Sequence, residues 1–155
     1  NPSWLYSIDN GATTIWERWN SYMIEHGMGP KGMNSFNHYS LGNVGSWLYE
    51  YVLGVRRDES EPGYKHTIIR PQMPKGISWV KAHKDTPYGR LYVAWKRQTS
   101  HTLVEITIPT GSSATLWLPQ EAEQTTLNGK VITNPQHISL GSGTHKIIFS
   151  NKPKA

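Results

Sequence analysis

The rhythm of apolar positions changes near residue 58. Before it they fall at helical steps of three and four, and after it they alternate with polar ones. Trp4, Leu5, Tyr6 and Ile8 precede Asp9-Asn10-Gly11, which reads as a helix end or short extended piece closed by a turn. Thr13 or Thr14 can cap a helix over 15–25, with Glu17 three residues after Thr14 in the register of a capping box. Gly27, Gly29, Pro30 and Gly32 then end any helix. A second helix is expected over 36–54, capped by Asn34 or Ser35 and carrying Tyr39, Val44, Trp47, Leu48, Tyr51 and Val52. Gly42 and Gly45 each cost about 1 kcal/mol there relative to alanine. They imply either close packing on that face or a break in the helix.

Arg56-Arg57-Asp58-Glu59-Ser60-Glu61-Pro62-Gly63 is a charged linker, and it divides the chain into 1–57 and 58–155. Beyond it the pattern predicts strands over 64–70, 77–84, 90–97, 102–108 and 114–118. In the third of these, Trp95 is expected to face inward with Leu91 and Val93. Asn128-Gly129 between 125–127 and 130–133 is a strong hairpin signal, because that dipeptide accepts the positive φ angles of a type I′ turn. Residues 138–140 and 145–149 flank Gly141-Ser142-Gly143 and are expected to form a last hairpin. The fold class is therefore α+β: two or three helices followed by an antiparallel β-sandwich.

Composition narrows the chemistry. Among 155 residues there are 7 Trp and 8 Tyr against 2 Phe. Aromatics with a polar edge favour half-wet places such as carbohydrate clefts and interfaces. Cysteine is absent, so no disulfide framework is available. The net charge of +5 comes from scattered residues with no run of five like charges, which argues against a nucleic-acid partner. No apolar stretch approaches the roughly 20 residues of a membrane span, so no membrane is expected. The chain opens Asn1-Pro2 without methionine or leader and reads as a piece of something longer. His26, His83, His101, His137 and His145 are spread without ligand spacing, so no metal site or cofactor is expected.

Candidate chemistry concentrates in Gly11-Ala-Thr-Thr-Ile-Trp-Glu-Arg-Trp19. One carboxylate, Glu17, stands between Trp16 and Trp19 and beside Arg18. Flat apolar faces hold a sugar ring while an acid or base acts at its anomeric carbon. A core stripe with a surface ion pair gives the same pattern.

Three blocks, Gly11–Trp19, Met33–Gly42 (MNSFNHYSLG) and Gly63–Pro71 (GYKHTIIRP), together resemble the C-terminal part of bacterial α-L-rhamnosidases. These are inverting glycoside hydrolases built on an α/α barrel of paired helices followed by a β-sandwich. The resemblance covers essentially the whole chain and is specific over its first 71 residues. It implies that Glu17 is the general base and that His38 contacts rhamnose. It leaves Trp16 and Trp19 as either sugar platforms or barrel packing. His66 belongs to a block read as structural, opening the sandwich. The resemblance also implies that the general acid and most rhamnose contacts belong upstream, and neither Asp9 nor Glu25 sits in a recognisable acid motif. The partners implied are a rhamnose-containing glycoside or polysaccharide, the missing N-terminal part of the barrel, and a second copy of the chain through uncovered apolar helix faces. The piece alone is expected to be inactive. The alternative is a non-catalytic sandwich that binds carbohydrate or braces a neighbouring domain; two of Trp79, Trp95 and Trp117 exposed on one sheet face would make its sugar platform, whereas alternation turns Trp95 inward.

Overall fold

The computed structural model describes residues 1–120, 122–133 and 136–151. The chain divides into two compact units, residues 1–47 and the part from Leu48 onward. That division lies upstream of the charged linker, whose first two residues end one strand of the second unit and whose remainder lies in the loop to the strand paired with it.

In the first unit, helix α1 (Trp4–Asp9) is capped by Ser3, whose side chain accepts from the Tyr6 N–H. The helix expected over 15–25 does not form. Residues 14–21 are irregular, and a small hairpin follows, β1 (Tyr22–Met23) paired with β2 (Gly27–Met28). Two causes account for this. Ile15, Trp16, Trp19, Asn20 and Ser21 are indifferent helix formers. The backbone groups of this stretch also find partners in a distant segment, as shown below. The helix expected over 36–54 begins only at Ser40. It runs as a 3₁₀ turn (Ser40–Asn43), a short α turn α2 (Val44–Trp47) and a wider π-type turn (Leu48–Leu53). A Cβ at Gly45 would meet nothing within 4 Å, and at Gly42 only Ile15 at 3.9 Å. The glycines therefore mark changes of pitch, and close packing does not account for them.

The second unit is a sandwich. Its strands are β3 (Val55–Arg57), β4 (His66–Ile69), β5 (Trp79–Thr86), β6 (Gly89–Arg97), β7 (His101–Ile108), β8 (Ser113–Trp117), β9 (Ala122–Leu127), β10 (Lys130–Ile132), β11 (His137–Leu140) and β12 (Gly143–Asn151). The six-stranded sheet has the order β10-β9-β12-β7-β6-β5, and the four-stranded sheet β11-β8-β4-β3. All pairs are antiparallel except β4 with β8. The hairpin at Asn128-Gly129 forms as expected, with both residues at positive φ. The last expected hairpin does not form. β11 pairs with β8, whereas β12 pairs with β7 and β9, so Gly141-Ser142 carries the chain from one sheet to the other. Pro71 and Pro74, Pro109 and Pro119 stand at other such crossings, where no ladder hydrogen bond is lost to the missing N–H.

Alternation along these strands builds the core. Leu91, Val93 and Trp95 of β6 point inward with Val104, Ile106 and Ile108 of β7 and Ile147 and Phe149 of β12. They meet Ile69, Ala114, Leu116, Ile138 and Leu140 of the other sheet in one cluster. Trp95 is 2% exposed, and its Nε1–H donates to the Val52 carbonyl at 2.8 Å, so its one polar group is satisfied. His66 is locked on the parallel pair, Nδ1 at 2.7 Å from Ser113 Oγ and Nε2 at 3.0 Å from Thr115 Oγ1. Trp79 and Trp117 lie on different sheets and do not form one platform.

Candidate active site

Two segments far apart in sequence run side by side in the first unit. The Glu17 N–H donates to the Ser35 carbonyl and the His38 N–H to the Ile15 carbonyl, both at 2.8 Å. The Thr14 hydroxyl donates to the Phe36 carbonyl. Residues 14–17 and 35–38 thus satisfy each other's backbone, and this contact replaces the helix that residue spacing predicted. The two blocks bearing Glu17 and His38 are brought together by it.

Glu17 is half-buried, and its Oε2 accepts the Ser35 N–H at 2.8 Å, a charge-assisted bond that fixes the carboxylate. Among the described residues its Oε1 has no hydrogen-bond partner. Arg18 does not pair with Glu17. Its guanidinium reaches the carbonyls of Pro30 at 3.2 Å and Gly32 at 3.4 Å, which ties down the glycine-rich loop. His38 precedes the first turn of the helical run. Its Nδ1 accepts the Ser40 N–H at 3.2 Å and its ring stacks on Tyr39, centroids 5.2 Å apart and 9° from parallel. With Nδ1 accepting, the proton of the neutral imidazole sits on Nε2.

The tryptophans go elsewhere. Trp16 stands edge-on to Phe36 at 5.2 Å, and Trp19 edge-on to Trp4 at 5.5 Å. Both line a cleft of about 220 Å³ together with Trp4, Ile15, Arg18 and Leu41, and neither Glu17 nor His38 is part of its wall. Two groups here were not foreshadowed by the sequence: Trp4, whose Nε1–H donates to the Leu41 carbonyl at 3.2 Å, and the backbone of Ser35. Trp4 carried only an apolar-position signal, and a backbone N–H leaves none. Of the other carboxylates in this unit, Glu25 accepts from the Tyr6 hydroxyl at 3.3 Å. Among the described residues no group of three or more His, Cys, Asp or Glu is placed to hold a metal ion. No helix there is long and apolar enough to cross a membrane.

Residues 1–52 match the family described as bacterial alpha-L-rhamnosidase 6 hairpin glycosidase domain, and residues 54–133 match the bacterial alpha-L-rhamnosidase C-terminal domain. The chain belongs to the bacterial α-L-rhamnosidases, of which it spans the end of the glycosidase domain and the sandwich that follows. An alpha-L-rhamnosidase of Alteromonas sp. (strain LOR) is 46% identical over 113 residues, covering 73% of this chain and 12% of the relative. One from Formosa agariphila is 36% identical over 140 residues, covering 90% of this chain and 15% of that protein. The crystal structure of Streptomyces avermitilis alpha-L-rhamnosidase complexed with L-rhamnose superposes with a TM-score of 0.81 at 30% identity, over 95% of this chain and 15% of that one. The alpha-L-rhamnosidase from Dictyoglumus thermophilum gives 0.79 at 28% identity, over 97% of this chain and 17% of that one.

Proposed function

We propose that this chain is the C-terminal part of an enzyme releasing terminal α-L-rhamnose from a glycoside or polysaccharide with inversion, and that Glu17 is its general base. The observation that carries the reading is the asymmetry of the Glu17 carboxylate. One oxygen is anchored by the Ser35 N–H, and the other is free among the described residues to take a proton. In an inverting hydrolysis the base removes a proton from water as the water oxygen bonds to the anomeric carbon. The bond from that carbon to the leaving oxygen breaks on the opposite face, and a carboxylic acid roughly 6.5–9.5 Å from the base protonates that oxygen. The acid comes from outside this chain. His38, its Nδ1 occupied by Ser40, offers Nε2–H to a sugar hydroxyl. Trp16 and Trp19, turned into their own cleft, pack against it and do not hold the reacting ring.

Glu17→Gln in the intact enzyme tests this. The amide oxygen still accepts from Ser35, so the loop stays braced while the proton acceptor is gone. The expected loss is about 10²–10⁴-fold in kcat. Added azide, a nucleophile that needs no deprotonation, restores turnover and yields the inverted glycosyl azide. Full kcat with the amide overturns the reading. The 155-residue chain itself is expected to turn over no chromogenic rhamnoside. Turnover by it that vanishes on Glu17→Gln would place the acid within this chain.

A further inference from the structure

The outer face of the six-stranded sheet carries a depression that serves neither the core nor the candidate base. Because Leu91, Val93 and Trp95 point inward, Tyr92, Ala94 and Lys96 point outward on β6. Strand register fixes their neighbours. Lys81 on β5 and Glu105 on β7 stand either side of Ala94, while Trp79 and Leu103 stand either side of Lys96. A single methyl group is thus ringed by long side chains, and the hollow over it measures about 320 Å³.

Three properties select an occupant. The first is width: Lys81 and Glu105 are two strand spacings apart, about 10 Å, room for one sugar ring and its hydroxyls between them. The second is Trp79, 57% exposed within a strand, whose indole offers a flat apolar face at one corner. The third is polarity. Lys81, Lys96 and Glu105 surround the floor with no hydrogen bond or ion pair among the described residues, so donors and an acceptor stand ready. An apolar side chain of a peptide would leave these charges unmet. A polyhydroxyl ring meets them, and two ammonium groups against one carboxylate favour a ligand carrying negative charge.

We propose that this depression is a subsite for one acidic pyranose unit, a ring packed on Trp79 over Ala94 with its carboxylate toward Lys81 and Lys96. It lies in a different unit from Glu17 and stands or falls separately from the proposed hydrolysis.

The experiment follows the Trp79 indole N–H resonance of the 155-residue chain during titration with a glucuronate-containing trisaccharide, its carboxyl-reduced counterpart and an acidic tetrapeptide. A saturable shift with the uronate is expected, about 3–10-fold tighter than with the reduced sugar at low salt. Lys81→Gln with Lys96→Gln removes that preference and leaves weak binding of both sugars. Ala94→Leu fills the floor from the solvent side, abolishing the shift while circular dichroism shows the sandwich folded. No saturable shift with either sugar, a shift that survives Ala94→Leu, or saturation by the peptide alone overturns the proposal.

Discussion

In the sandwich the apolar side chains of alternating strands find each other, and the core runs from Val52 to Phe149. In residues 1–47 the only buried side chain is that of Ser21, while Leu5, Ile8, Ile24, Met28, Met33 and Tyr39 are exposed. Beside the aromatic pairs of Trp4 with Trp19 and Trp16 with Phe36, this first region is braced by polar ties: Arg18 to two loop carbonyls, Asn34 to the Ser21 carbonyl, Glu17 to Ser35. A strand that alternates carries half of its own packing solution in its sequence. A region shaped by cross-ties fixes positions of functional groups without burying enough apolar surface for independence. The share of each relative that the chain spans, 12% and 15% for those from Alteromonas and Formosa, agrees with a first region shaped for further surroundings.

The contrast is sharpest at two glycines. Gly54 has φ +88°, and a Cβ there would meet the Pro71 nitrogen at 2.2 Å and the Arg70 carbonyl carbon at 2.5 Å. Backbone cannot step aside as a flexible side chain can, because the Arg70 N–H also donates to the Gly54 carbonyl at 2.8 Å. Gly54→Ala should cost the sandwich about 4 kcal/mol or more in urea unfolding followed by circular dichroism. Gly32, with nothing within 4 Å, should accept alanine within about 0.5 kcal/mol. Equal effects at the two sites would dissolve the distinction between the regions.

Next in size is the removal of apolar mass. Trp95→Ala should cost about 3–5 kcal/mol, leaving a cavity and a Val52 carbonyl without its donor. In the first region the paired change Met33→Gln and Tyr39→Ser, at side chains 79% and 78% exposed, should move stability by no more than about 0.5 kcal/mol. It should instead lower the weight-average mass in light scattering, because we propose that the isolated chain associates with itself through these uncovered groups. A parent chain that is monomeric at high concentration refutes that part.

The same division governs what could be read from the residues. Strand existence, the Asn128-Gly129 turn and the inward face of Trp95 were legible because period-two alternation and turn chemistry are local. The sheet assignment of β11 and β12 was not, since Gly141-Ser142-Gly143 serves a sheet crossing as well as a hairpin. Nor was the parallel pairing of β4 with β8, which joins segments far apart in sequence. In the first region Thr14 and Glu17 have capping-box spacing, yet both side chains bond to residues 35–36. Long-range partners overrode a weak local preference, and so the role of Ser35 left no mark in the sequence. The Gly11–Trp19 and Met33–Gly42 blocks were recognisable as a pair, but only the fold shows them lying side by side.

The smallest effect belongs to a polar tie inside the sandwich, where such ties are dispensable. Asp85 and Arg90 face each other across β5 and β6, Arg90 Nε–H donating to Asp85 Oδ1 at 2.8 Å, with both side chains mostly in solvent. The hydrogen bond from Arg90 is the main cause holding the Asp85 carboxyl below its ordinary value of 3.8, opposed by desolvation and helped by the smaller effects of the charges of Arg90 and His83. A carboxyl depressed in the folded chain adds stability that is present above the unfolded value and lost as pH falls through the folded one. Asp85→Asn should therefore leave the unfolding midpoint at neutral pH within its error and slightly flatten the acid limb below about pH 4. Salt near 1 M should erase even that difference, since exposed pairs are screened. A clear loss at neutral pH that persists in salt would mean that the sandwich, like the first region, leans on its polar ties, and the contrast between the two would have to be redrawn.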